Sequence, residues 1–244
     1  MFLWNLCLTR NQNSAQELLE AHKQLAIPIP YQAAVIIDGS GFCGGSLISR
    51  DWVLSAAHCT IRASVVQVIL GAHSVQQSES TQVTATSRAI TNHPSYNSAN
   101  LANDVSLIRL PSSVTLTSAI QIISLAPASS GTFAGSTALL SGWGRTSDAS
   151  NSISSTLQRV NLGIITNAVC QNTFGSIIIA STICTSGAGG VGACNGDSGG
   201  PLVVNNVQVG VVSFGSARGC QAGLPSAYAR VANFRSWISS VAGI

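Results

Sequence analysis

Ser198 stands in the run Cys194-Asn195-Gly196-Asp197-Ser198-Gly199-Gly200-Pro201, a serine among glycines whose missing side chains let backbone N–H groups come close to a bound molecule. Peptide-bond hydrolysis by a serine needs more than its hydroxyl. It needs a base to take the proton, a carboxylate to orient that base, and donors for the developing oxyanion. Candidates for the first two are His58, in Leu54-Ser55-Ala56-Ala57-His58-Cys59, and Asp104, in Asn103-Asp104-Val105-Ser106-Leu107-Ile108. Each group also has a plainer reading taken alone. Gly-Asp-Ser-Gly is a common loop composition, a single histidine among small apolar residues reads as a structural imidazole, and an acid opening an apolar strand reads as a turn residue.

The elements that must hold these groups are strands. From Ile29 onward, short β-rich runs alternate with Gly, Ser, Asn and Pro, at Gln32 to Ile37, Val65 to Leu70, Val105 to Leu110 and Thr137 to Ser141. Pro201 to Val204 and Val207 to Phe214 flank Asn205-Asn206, a dipeptide that tolerates the positive φ of a tight hairpin. The tail has another period. Phe234, Trp237, Ile238 and Val241 follow i, i+3, i+4, i+7 behind Asn233, predicting a short C-terminal helix capped by Asn233. A Pro- and Ser-rich stretch from Ala126 to Gly135 separates two β-rich halves, placing one domain at 26–125 and a second at 126–244. Residues 1–25, weakly helical with Glu17, Glu20, His22 and Lys23, are expected to lie outside the fold.

A chain of 244 residues, 45% hydrophobic and only 8% charged, can bury its own core. Its net charge of +3 is scattered, with no basic stripe for nucleic acid. No apolar run approaches the roughly 18 residues that span a bilayer. Seven cysteines, at 7, 43, 59, 170, 184, 194 and 220, lack the CxxC pairs and Cys/His clusters of a zinc site. They predict a disulfide framework with one spare thiol, hence an oxidising compartment, although the first residues make a poor signal peptide.

Jointly, the three segments resemble the trypsin and chymotrypsin family in the order His, Asp, Ser. Supporting motifs are Cys43-Gly44-Gly45-Ser46-Leu47, Ser141-Gly142-Trp143-Gly144 and Tyr228-Ala229-Arg230-Val231, and the likeness runs from about Pro30 to Ile244. The resemblance implies an all-β fold of two six-stranded antiparallel β-barrels with a short C-terminal helix. The first barrel would carry His58 and Asp104, the second Ser198. His58 would act as general base and then acid, Asp104 would hold its tautomer, and Ser198 would form the acyl-enzyme. The N–H groups of Gly196 and Ser198 would form the oxyanion hole. Disulfides would join Cys43 to Cys59, Cys170 to Cys184 and Cys194 to Cys220, leaving Cys7 over. Each would close a loop of about 15 to 27 residues, worth roughly 3 kcal/mol.

The same resemblance places the base of the primary specificity pocket at Gly192 and its walls at Gly215 and Ser226. No carboxylate waits there for Arg or Lys, so the implied preference is for large apolar residues such as Phe, Tyr, Leu or Trp; a relative with glycine at the floor and an acid on the back wall cleaves broadly, including collagen, and Ser226 in place of that acid argues against that specificity here. Ser213, Phe214 and Gly215 would bind the substrate backbone as an added antiparallel strand, with Asn195 at the pocket rim. Asp197 would be the activation acid, pairing with the ammonium of a freed Ile-Val-Gly-Gly start. The place expected for that start reads Gln16-Glu17-Leu18-Leu19, so residues 1–25 are expected to be a foreign leader. The alternative is a zymogen-like or non-catalytic homologue that acts by binding. The resemblance further implies no cofactor or metal, protein and peptide substrates, protein protease inhibitors as further partners, and a secreted monomer. Ile164-Ile165-Thr166-Asn167-Ala168-Val169-Cys170 and the three-disulfide pattern look like insect digestive chymotrypsins, which work in the gut lumen.

Overall fold

Successive residues of a strand point to opposite faces of its sheet, so apolar side chains at every second position select one face for the core. The computed structural model describes residues 29–244; Cys7 and the expectations attached to residues 1–25 lie outside the described residues. Strand β1 (Gln32–Ile37) has the predicted bounds. Its Ala33 and Val35 join one barrel's core, while Ala34 packs on the other face in a cluster with Trp143. In β4 (Val66–Leu70), Val66, Val68 and Leu70 enter the same core and Gln67 is exposed.

The first sheet is antiparallel throughout. Its order is β5 (Val83–Ser87), β4, β1, β2 (Gly41–Ser49), β3 (Trp52–Ser55), β7 (Ser106–Arg109) and β6 (Ile90–Asn92). Only Arg88 and Ala89 separate β5 from β6, and the Arg109 N–H donates to Ala89 O at 2.9 Å. The two segments thus act as one bent strand, and the sheet closes as a six-stranded barrel. The second sheet closes through direct pairing: β12 (Pro201–Val204), β9 (Thr137–Gly142), β10 (Gln158–Ile165), β11 (Thr182–Thr185), β14 (Ser226–Arg230) and β13 (Val207–Phe214), with β12 paired back to β13. The two-residue β8 (Ser124–Leu125) adds to β13 in parallel, a contact beyond the expected antiparallel pattern. Asn205 and Asn206 take φ of 48° and 61° in the β12–β13 turn, as their types predict.

Three α-helices occur among the described residues: α1 (Ala57–Thr60), α2 (Asn167–Phe174) and α3 (Val231–Ala242). None is long and apolar enough to cross a membrane. The C-terminal helix starts earlier than its sequence pattern predicts. β14 runs straight into it, Arg230 occupies the cap position without a side-chain bond, and Asn233 lies in the first turn instead of capping it. Buried Val231 and Ala232 extend the apolar face forward, and tertiary burial outweighs the missing polar cap. Phe234 and Ile238 of α3 share a core with Leu54 of β3, Leu107 of β7, Val203 of β12 and Val211 of β13, so this cluster seals the seam between the barrels. The three expected disulfides, Cys43–Cys59, Cys170–Cys184 and Cys194–Cys220, are all formed.

Candidate active site

Small buried residues bring His58 to the seam. β3 ends at Ser55, and Ala56 and Ala57 are fully buried, so the chain turns into α1 with no bulk to push it outward. The Cys43–Cys59 disulfide ties the residue after His58 to β2. Asp104 comes from the segment before β7, where Leu101 and Asn103 both adopt positive φ, 55° and 58°. Its carboxylate is fully buried and accepts three hydrogen bonds. The His58 N–H reaches Oδ1 at 2.8 Å, while Oδ2 accepts from His58 Nδ1 at 2.7 Å and Ser213 Oγ at 2.5 Å. A carboxylate can only accept, so the proton of a neutral His58 sits on Nδ1 and Nε2 carries the free lone pair. Desolvating a carboxylate is costly unless donors surround it, and these three donors meet that need.

Ser198 is held at the same seam by its neighbours' backbone. The Gly44 N–H of β2 donates to Ser198 O at 2.7 Å, and the Gly199 N–H to Val212 O of β13 at 2.8 Å. Gly199, at φ +79°, lies against the strand leading to His58: a Cβ there would fall 2.6 Å from Gly44 O and 3.0 Å from Ala56 N, besides overlapping the Ser55 hydroxyl. Only glycine fits, and it keeps the Ser198 loop against the segment that delivers His58. Gly196 has φ +103°, and among the described residues the N–H groups of Gly196 and Ser198 have no hydrogen-bond acceptor.

Next to Ser198, Asp197 is 8% exposed. Its Oδ1 accepts from the Gly144 N–H at 2.8 Å and its Oδ2 from the Cys194 N–H at 2.9 Å. A side chain at Gly142 or Gly144 would overlap this carboxylate, which accounts for both glycines of Ser141-Gly142-Trp143-Gly144. Burial raises the Asp197 pKa above its ordinary value, and the two N–H donors pull it partly back. Asp197 lines a cavity of about 200 Å³ together with Leu140, Arg145, Gln158, Val160 and Val191.

Gly192 and Ser226 face each other across a small space: a Cβ on Gly192 would lie 2.9 Å from Ser226 Oγ, which accepts from the Ala193 N–H at 3.2 Å. The buried Tyr228 pairs with Thr185 Oγ1 at 3.0 Å, and burial pushes its phenol pKa up. Gly215 borders open space, Asn195 is exposed, and Phe214 packs edge-on against Phe174 at 5.3 Å.

The structure thus joins His58 to Asp104 directly and places Gly196, Asp197 and Ser198 on one loop at their seam. Sequence reasoning assigned Ser213 only to a substrate-binding strand and missed its hydroxyl on Asp104. The available signal was a lone polar residue after the apolar run Val209 to Val212. Gly144 as a donor to Asp197 was missed as well, because a backbone N–H carries no residue signature.

Known proteins resemble the chain over most of its length. The trypsin family model matches residues 19–238. Brachyurin from Leptuca pugilator is 47% identical over 88% of this chain and 94% of its own. Chymotrypsin from Phaedon cochleariae is 39% identical over 92% and 82%, and trypsin from Xenopus laevis 42% identical over 87% and 85%. Among solved structures, HL collagenase superposes with a TM-score of 0.79 at 38% identity, covering 88% of this chain and 94% of that one. With its two barrels, its three disulfides and the His58–Asp104 pair beside the Ser198 loop, the chain belongs to the trypsin family of serine endopeptidases.

Proposed function

We propose that this protein is a serine endopeptidase that works through an acyl-enzyme and cleaves after large apolar residues. The observation that carries the reading is the fully buried Asp104 carboxylate holding His58 through both Nδ1 and the backbone N–H. In this reading Nε2 of His58 takes the Ser198 proton as Oγ attacks the carbonyl, and the imidazolium so formed is stabilised by Asp104. The unpaired N–H groups of Gly196 and Ser198 receive the oxyanion. His58 then returns the proton to the leaving amine, and water reverses the sequence to release the acid. Asp197 receives a cation, the ammonium of a freed chain end, in the cavity it borders; a buried carboxylate answered, among the described residues, by two N–H groups supports that role.

Specificity follows from charge. Gly192 supplies no carboxylate and Ser226 only a hydroxyl, so burying Arg or Lys there would leave a cation uncompensated. The retained His58, Asp104 and Ser198 speak against a purely binding role. The reading includes two folding units at 26–125 and 126–244, a leader at 1–25, a secreted monomer, protein and peptide substrates, protein inhibitors, and digestion in a gut lumen. The test is hydrolysis of peptide anilides ending in Phe or Arg, by the chain as it stands and by a form given an Ile-Val-Gly-Gly start. The expected result is a Phe preference of about 100-fold or more that disappears in Ser198→Ala. A preference for Arg, or turnover that survives Ser198→Ala, would overturn the reading.

A further inference from the structure

Asp148 lies on the exposed loop between β9 and β10, yet its carboxylate is fully engaged. Oδ1 accepts from the Cys220 N–H at 2.7 Å and Oδ2 from the Gln221 N–H at 3.0 Å, while the Asp148 N–H donates to Gln221 Oε1 at 2.9 Å. These bonds join segments 72 and 73 residues apart. Gly219, at φ +114°, lies against the same carboxylate, and any side chain there would overlap it. Two N–H groups meeting the two oxygens of one ionised carboxylate form charge-assisted bonds, stronger than neutral ones.

The loop that Asp148 grips has few other ties. Within Ser216–Gly223 the remaining hydrogen bonds are internal, from the Gly219 N–H to Ser216 O at 3.2 Å and from the Arg218 N–H to Ser216 Oγ at 3.1 Å. Among the described residues, Asp148 supplies this loop's hydrogen bonds to the body and the Cys194–Cys220 disulfide its covalent cross-link. The segment leading to Asp148 is itself anchored in the site: the Gly144 N–H binds Asp197, and the Arg145 N–H donates to Asn195 O at 2.9 Å. One short strap, from Gly144 to Asp148, thus holds Asp197, Asn195 and the 219–221 turn in a fixed relation.

We propose that Asp148 is a positioning residue for substrate selection: its carboxylate fixes the Gly219–Gln221 turn, and with it the pocket wall between Gly215 and Cys220, without touching the reacting atoms. This rests on the pocket assignment made under Proposed function. A wall released from Asp148 weakens ground-state and transition-state binding alike, so KM rises while kcat is kept.

The experiment compares Asp148→Ala and Asp148→Asn with the parent in the full chain. Hydrogen exchange is read at the Cys220 and Gln221 amides, and in the active form steady-state hydrolysis is read for peptide anilides ending in Phe and Ala. In Asp148→Ala both amides exchange at least about tenfold faster, KM for the Phe substrate rises about tenfold with kcat within about twofold, and the Phe-over-Ala preference shrinks. Asp148→Asn keeps one acceptor oxygen and falls between the two. Unchanged exchange in Asp148→Ala overturns the strap. A kcat loss at constant KM, or equal losses for Phe and Ala, overturns the role in selection. A parent that prefers Arg to Phe overturns the pocket assignment instead, a failure the exchange measurement keeps separate from that of the strap.

Discussion

Removing the Ser213 hydroxyl tests how the buried carboxylate is sustained. Asp104 has no exposed surface, and its three donors are His58 Nδ1, the His58 N–H and Ser213 Oγ. Ser213→Ala deletes one donor and puts a methyl group where water cannot replace it. A hydrogen bond to a charged group contributes about 1.5 to 3 kcal/mol, so stability should fall by about 2 kcal/mol, or about 4 to 8 °C in Tm for a chain of this size. Activity should respond less. The charge left on Oδ2 concentrates on its remaining partner, His58, whose orientation is still set by two bonds, so kcat should change by less than about tenfold. Urea unfolding followed by tryptophan fluorescence gives the first quantity, since the fully buried Trp143 reports on the seam, and anilide hydrolysis gives the second. A stability change below about 0.5 kcal/mol would show that Asp104 does not depend on this donor. A kcat loss beyond about 1000-fold would show that Ser213 orients His58 and is more than a solvating group.

Gly199→Ala should destabilise the fold by about 3 kcal/mol or more, because a Cβ at φ +79° meets Gly44 O and Ala56 N; an unchanged urea midpoint would contradict that packing. Replacing Cys194 and Cys220 with alanine opens a 26-residue separation and should lower stability by about 3.5 kcal/mol, read by the same assay. For Asp197 the sign follows from its raised pKa. Above the ordinary value of 3.8 the unfolded carboxylate has ionised while the buried one still holds its proton, so the folded state binds more protons and stability falls as pH rises through the raised value. Asp197→Asn should flatten that fall in urea midpoints as pH rises above 3.8, and an ammonium seated in the cavity should reverse it.

Much of the fold was legible in period and turn chemistry. β1 and both strands of the Asn205-Asn206 hairpin took their predicted bounds because alternation and positive φ are local properties. The start of α3 was misplaced because burial of Val231 and Ala232, a tertiary fact, moved it ahead of the polar residue that would have capped it. The site was legible only jointly: His58 and Asp104 each looked structural alone, and the family's motifs, not spacing, brought them together. Bonds such as Ser213 to Asp104, 109 residues apart, or Asp148 to Cys220, leave no pattern in a linear chain. They depend on which loops the closed barrels set side by side.

Covalent labelling of Ser198 tests the nucleophile and its base together: a form with a free Ile-Val-Gly-Gly start is treated with a peptidyl phosphonate ending in a Phe analogue, and the phosphonyl adduct is located by mass spectrometry. The expected result is a single adduct on Ser198, absent in Ser198→Ala and formed at least about 1000-fold more slowly in His58→Ala. An adduct elsewhere, or labelling of Ser198 at an unchanged rate without the imidazole, would contradict it.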